Sequence, residues 1–322
     1  LEAIMSVIVG LKKGHIKDNI GDLGLFALAE KDALDFLNLQ FDSAELDRLE
    51  NKYRKYVRSK VIIRNSKFDL SRKVYTDFFK QIYKVSVIKE PDKPDTDLRD
   101  ISYDKWIFFT TNYDNILEDF WVKEQRYVYL DLGFELNGKK IMKADKLLSR
   151  NVESYSGKSA MQLVKLHGSL NWIINMDNEI KELPLNFGLD DIRPRSGSKD
   201  ITEELLIYPL TQKELYFPPF IQLFNILGKY LSRRVFWIII GYSFRDIIIR
   251  TMFEKALSED NRRKLLLVHP KATKLIRPLF KESIQSQVVC LDEYFAKRNY
   301  REVNRKIAEA LLSLEPTNEQ WK

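Results

Sequence analysis

Two rhythms of apolar and polar residues divide the chain. Up to about residue 97 the apolar positions recur at helical spacing. Leu46, Leu49, Tyr53 and Tyr56 follow a capping pair, Asp42 with Glu45, and Val74, Phe78 and Ile82 form a second stripe beside Tyr75, Phe79 and Tyr83. Recurrence every three to four residues places one helix face against a core. The Pro-broken polar stretch "KEPDKPDTD" (89–97) then interrupts the pattern and marks a boundary. Beyond it, short apolar runs at 106–110, 163–166, 205–208, 235–240, 265–268 and 288–291 alternate with helical patterns at 114–121, 219–231, 246–257 and 300–314. Strands apolar at every position are buried on both faces, and intervening helices supply the cover. The pattern therefore predicts an α/β fold: a Rossmann-like, mostly parallel sheet with helices on both faces. We expect a mainly helical module over 1–97, acting as a cap or an oligomer contact. The core follows over 98–322, with the polar stretch 173–204 an irregular excursion from it.

Composition narrows the class. The chain is 44% hydrophobic, with 12 Gly and 10 Pro, which suits a globular protein and excludes fibrous or disordered ones. The net charge of +7 comes from interspersed charges without a run of five of one sign. That fits a solvated surface, and equally an anionic partner such as a nucleotide or nucleic acid. A single cysteine, Cys290, excludes a disulfide within the chain and a cysteine-based zinc site, and points to a reducing, cytoplasmic environment. The longest apolar run, Val235 to Gly241, is too short to span a bilayer, so no membrane association is expected. The opening "LEAIMSVIVGLKKGH" lacks the basic leader and small-residue cleavage site of a signal peptide.

In a parallel sheet of this kind, ligands bind beyond the carboxyl ends of the strands, so what each strand runs into is informative. The run 106–110 ends in Thr110-Thr111-Asn112-Tyr113-Asp114. The run 163–166 ends in His167-Gly168-Ser169 with Trp172 behind it, 235–240 in Gly241-Tyr242-Ser243-Phe244-Arg245-Asp246, and 265–268 in His269-Pro270. Singly, each has a structural reading: Asn112 and Asp114 as helix caps, His167 as a satisfied core histidine, Gly241 and Ser243 as a tight turn, His269-Pro270 as a strand stop. Together they suggest a site. Gly241 would let backbone approach a ligand, and the helix after Ser243 would offer free N–H groups to a phosphate or ribose. Asn112 is a neutral amide able to hold a water or sugar hydroxyl, and His167 can act as a base near neutral pH. A base and a neutral orienting amide suit reaction at a sugar C–N bond, whose transition state is oxocarbenium-like.

At these residues the chain resembles the sirtuin (silent-information-regulator-like) family. Thr110-Thr111-Asn112-Tyr113-Asp114 is similar to the family's Thr-Gln-Asn-Ile-Asp, His167-Gly168 to its catalytic His-Gly, and Gly241-Tyr242-Ser243 to its Gly-Thr-Ser nucleotide loop. The strings "TTNYD", "KLHGSLNW" and "IIGYSFRD" are closer to the bacterial and archaeal NAD-hydrolase branch of antiviral defence proteins. The motifs span about 107–246, with compatible strands to about 291. The resemblance implies that Asn112 positions the nicotinamide ribose or attacking water and that His167 acts on a ribose hydroxyl or water. It implies that Thr110, Thr111, Asp114, Gly168, Gly241, Ser243, Asp246 and His269 line the NAD site, with Asp246 a branch signature of unassigned role that could be a helix cap. NAD would be the substrate, without zinc. The family's Gly-Ala-Gly-x-Ser phosphate loop is not in these 322 residues, "SVIVGLKKGH" (6–15) being the nearest stretch. Either it lies outside this chain or it has been lost.

The resemblance thus points to an NAD+ glycohydrolase yielding nicotinamide and ADP-ribose, in antiviral defence of the abortive-infection type. Such a protein would be a homo-oligomer, with an ATPase, helicase or sensor protein as a partner and nucleic acid reached through that partner or the basic surface. Two other readings stay open: a non-enzymatic nucleotide- or nucleic-acid-binding subunit of a defence complex, and an NAD-dependent protein deacylase. The deacylase is disfavoured by the absent zinc cysteines.

Overall fold

The structure is a computed structural model that describes residues 48, 52, 65–87, 107–124, 129–135, 141–142, 160–174, 179–183, 203–206, 218–296 and 299–314. The Asp42–Glu45 cap, the stripe from Leu46 to Tyr56 and the boundary at 89–97 lie outside the described residues.

Two parallel three-stranded sheets carry the core. In the first, β5 (Ala160–Lys165) lies between β1 (Ile107–Thr110) and β2 (Tyr129–Asp131), with Ile107–Thr110 in register with Gln162–Lys165. In the second, β10 (Lys264–Val268) lies between β9 (Phe236–Ile240) and β11 (Val288–Leu291). Side chains alternate across a strand, so consecutive apolar residues feed opposite layers. Leu265 and Leu267 join Val164 in one cluster, under α3 (Phe220–Arg233) and α4 (Ile247–Glu259). Leu266 and Val268 join Leu163 in the other, under α1 (Asn65–Val87), α2 (Ile116–Glu124) and α7 (Tyr300–Ser313). Helices thus cover both faces, as the apolar runs predict. The stripe of α1 is core: Val74, Phe78, Phe79 and Ile82 are buried, and Phe79 stacks on Phe120. Asn304 of α7 locks to α1 by donating to the Val74 carbonyl and the Asp77 carboxylate.

One expectation is corrected. The run at 205–208 does not extend the parallel core. Its described part belongs to β8 (Glu203–Leu206), which pairs antiparallel with β6 (Gly168–Ile174). With β7 (Ile180–Glu182), β4 (Ile141–Met142) and β3 (Phe134–Glu135) these strands form a third sheet, five-stranded and antiparallel. Part of the stretch read as irregular over 173–204 is therefore ordered strand. A short apolar run is compatible with either pairing, and the partner, here β6, is chosen in three dimensions.

The amino ends of β10 and β11 are closed by structural donors. Arg263, just before β10, donates to the Ala256 carbonyl at 2.5 Å and the Ser232 carbonyl at 2.9 Å. Gln287, just before β11, donates to the Leu257, Asp260 and Arg263 carbonyls at 3.0 Å each. These side chains satisfy carbonyls at the carboxyl ends of α3 and α4, which have no partner within their helices, and in the turn that follows α4. The helices α5 (Ala272–Leu279) and α6 (Glu282–Gln285) complete the connection to β11. At the opposite, carboxyl ends lie the polar loops. Among the described residues no helix is long and apolar enough to cross a membrane.

Candidate functional site

The loop after β1 is shaped by its own polar side chains. Thr110 Oγ1 accepts the Asn112 N–H at 3.0 Å, and Asp114 Oδ1 accepts the Ile116 N–H at 3.1 Å, capping α2. The capping role considered for Asp114 is thus present. Burial, reinforced by Glu118, holds its carboxyl above the usual carboxylate range, with the Ile116 N–H and Lys165 acting the other way. Asn112 is exposed, and Thr111 is half-buried.

The turn after β5 is stitched to that loop. The Leu166 N–H donates to the Thr110 carbonyl at 2.8 Å and the Leu170 N–H to the Tyr113 carbonyl at 3.0 Å. Between these two bonds sits His167, 6% exposed. Its ring lies against Tyr113 (centroids 6.5 Å apart) on the loop and against Phe224 (6.4 Å) of α3. Gly168 has φ +82°, and a Cβ there would sit 2.2 Å from the Leu205 carbonyl oxygen of β8. The glycine is therefore required by chain packing, whatever else it does.

The β9–α4 turn meets the same histidine. Asp246 Oδ2 lies 3.2 Å from His167 Nε2, while Oδ1 accepts the Ile248 and Ile249 N–H groups at 3.0 and 3.4 Å. This corrects one expectation: the first turn of α4 does not offer those N–H groups to a ligand, because Asp246 already caps them. Gly241 opens the same turn. It has φ +69°, and nothing lies within 4 Å of where a Cβ would be. Phe244 is the residue that sequence reasoning missed here. It has φ +55° and is fully buried, edge-on to Tyr242, Phe253 and Phe280 with centroids 5.2, 5.6 and 5.0 Å away. A left-handed bulky residue is costly, and this aromatic packing holds it. Ser243, half-buried, lies between the two left-handed residues.

His269 stands apart from this group in its described contacts. Its N–H donates to the Leu291 carbonyl and its Nδ1 accepts the Lys271 N–H, each at 3.0 Å. Burial, then Lys271, lowers its imidazole below the ordinary histidine value. These bonds shape the turn after β10, in keeping with the strand-stop reading.

Behind the two stitched loops runs a buried polar network that sequence reasoning also missed. Lys165 is wholly buried, and its Nζ donates to the Asp114 carbonyl at 2.5 Å and to Glu118 Oε1 at 2.7 Å. Asn115 Nδ2 reaches Glu118, Ser169 and Asn171 at 3.1, 3.2 and 3.0 Å, and Asn171 passes the chain on to the Leu183 carbonyl at 2.9 Å. The signal was available: a lysine inside the apolar run "LVKL" has no reason to be there without a buried partner. The described groups are thus an imidazole oriented by Tyr113, Phe224 and Asp246, on a turn bonded to the loop that carries the exposed Asn112, and a glycine turn with open space where a Cβ would be.

No curated protein matches the chain. Among solved structures, a Sir2 homologue–NAD complex is 10% identical with a TM-score of 0.44, covering 85% of this chain and 77% of that one. A mutant Sir2 homologue with 2'-O-acetyl ADP-ribose is 10% identical with a TM-score of 0.44, covering 86% and 81%. A mutant Sir2 homologue with ADP-ribose is 11% identical with a TM-score of 0.39, covering 75% and 69%. These likenesses are distant, and the family model is what carries the assignment. The model of the SIR2-like domain matches residues 107–289, more than half of the chain and the whole span of the three strand-end motifs, and the chain therefore belongs to the SIR2-like family.

Proposed function

We propose that this protein is an NAD+ glycohydrolase that cleaves the nicotinamide–ribose bond to give nicotinamide and ADP-ribose. The observation that carries the reading is the placement of His167, stacked on Phe224, in contact with Tyr113 and bonded to Asp246, beside the loop that presents Asn112. In NAD the leaving group is a pyridinium, so the C–N bond needs no acid to break it. What the reaction needs is a base for a water or ribose hydroxyl and a neutral group to orient it at the oxocarbenium-like centre. His167 supplies the first and Asn112 the second. The open turn at Gly241 and Ser243 takes the far end of the dinucleotide, where a backbone without a Cβ permits close approach. Thr110, Thr111 and Asp114 shape the nicotinamide end. The biological role we assign is antiviral defence by NAD depletion, in a homo-oligomer with a sensor, ATPase or helicase partner.

The test is incubation of the full chain with NAD, with and without an acetyl-lysine peptide, following nicotinamide and ADP-ribose. Equal release of both without peptide is expected. Asn112→Ala and His167→Ala are expected each to abolish turnover with an unchanged circular dichroism spectrum. Release only in the presence of peptide would make the protein a deacylase. No release, together with salt-sensitive DNA binding, would make it a nucleic-acid-binding scaffold.

A further inference from the structure

We infer that Asp246 is a positioning residue for His167, one carboxylate serving two elements through its two oxygens. The inference rests on the glycohydrolase reading for its kinetic consequences, but not for its geometry. As a helix cap alone Asp246 would need one acceptor oxygen, which Ser, Thr or Asn supplies as well, and Oδ1 fills that role. Oδ2 is the second, charged acceptor that those residues lack, and it is the oxygen 3.2 Å from His167 Nε2. Both side chains are nearly out of solvent, at 8% and 7% exposure, so water does little to screen the pair. Among the described contacts, the ionisable side chains against the ring include Asp246 from the β9–α4 turn and Tyr113 from the β1–α2 loop, while α3 meets it with Phe224.

A carboxylate can only accept, so His167 must carry its proton on Nε2, and in the neutral ring the lone pair is on Nδ1. Nδ1 is then the working base. It takes the proton of the attacking water as the water oxygen bonds to the ribose C1' and the C–N electron pair leaves with nicotinamide. The imidazolium so formed faces the Asp246 carboxylate, which stabilises it. Because the same carboxylate ends the Gly241–Asp246 turn, the base is oriented by the segment that would hold the other end of the dinucleotide.

The experiment uses the tautomer of His167 and the kinetics together. The chain has only three histidines, His15, His167 and His269, so long-range 1H–15N spectra of the imidazoles can be assigned with single His→Gln variants. Wild-type His167 is expected as the Nε2–H tautomer. Asp246→Asn keeps the cap oxygen but turns an NH2 donor toward Nε2, so the tautomer reverses. Asp246→Ser keeps the cap and removes the partner, so the preference for Nε2–H is lost. In both, kcat for NAD cleavage falls by about 10²- to 10⁴-fold with KM within about threefold, the range seen when a base loses its orienting carboxylate. A His167 tautomer unchanged in both variants would overturn the inference, as would kcat within about threefold of wild type in both. If the wild-type chain cleaves no NAD, the glycohydrolase reading fails while the tautomer measurement still decides the role of Asp246.

Discussion

The sharpest stability prediction concerns Lys165. Its ammonium is fully buried between the Asp114 carbonyl and Glu118, whose side chain is 4% exposed. Lys165→Met removes the cation and leaves the Glu118 carboxylate in the interior with Asn115 as its described donor. Breaking a buried pair from one side costs about 3–5 kcal/mol, because the remaining charge is uncompensated. Against a folding free energy of about 5–15 kcal/mol, that is a large fraction. It corresponds to a fall in melting temperature of roughly 4–7 °C for a chain of this size, at about 2.1 cal/mol/K of unfolding entropy per residue. Removing both charges tells a different story. Lys165→Met with Glu118→Leu takes the charge problem away, and Asn115 keeps Ser169 and Asn171 as acceptors. The double variant should therefore lie within about 1.5 kcal/mol of wild type, as hydrophobic replacements of buried pairs do. Urea denaturation followed by circular dichroism gives the three free energies and hence the coupling energy. A Lys165→Met cost below about 1 kcal/mol, or a double variant whose cost equals the sum of the two single ones, would refute the reasoning.

Other predictions follow from single residues. Gly168→Ala should cost about 4 kcal/mol or more and fail to yield stable protein, because its Cβ would meet the Leu205 carbonyl oxygen at 2.2 Å in addition to the left-handed backbone. Gly241→Ala, with the same handedness but open space around it, should cost only about 1–2 kcal/mol in thermal denaturation and weaken NAD binding instead. Burial raises the Asp114 carboxyl, so the native state holds that proton more tightly than the unfolded chain. Its contribution to stability then declines as pH rises from the ordinary carboxylate range through the raised value. Asp114→Asn keeps the capping oxygen and loses the charge. It should be more stable than wild type at pH 7, with the gain closing on acidification; lower stability at pH 7 would count against this account. Burial, then Asp292, pushes the Cys290 thiol up to about 11. At pH 8 it should react with a thiol reagent about 100-fold more slowly in the native chain than after denaturation, in proportion to its thiolate fraction.

Local pattern was enough to determine the alternation of strands and helices after residue 100, because an all-apolar run is stable only between two covering layers. The strands at 107–110, 236–240, 264–268 and 288–291 and the helices α3, α4 and α7 lie within a few residues of their predicted spans. The stripe Val74-Phe78-Ile82 was legible for the same reason. Pattern also marked the three motifs, since polar and glycine residues at a strand end interrupt a strong hydrophobic signal. Only the tertiary structure decided which runs pair with which. The run 163–166 passes through a two-residue turn into β6, and Leu205 joins β6 instead of the parallel core. Strand partners are separated along the chain, and an apolar side chain carries no label for its partner. The same holds for the polar contacts. His167 and Asp246 lie 79 residues apart, and Lys165 and Glu118 lie 47 apart. A buried charge requires a counterpart, but its identity follows from the path of the backbone, which brings two loops and a helix terminus to one end of the sheets.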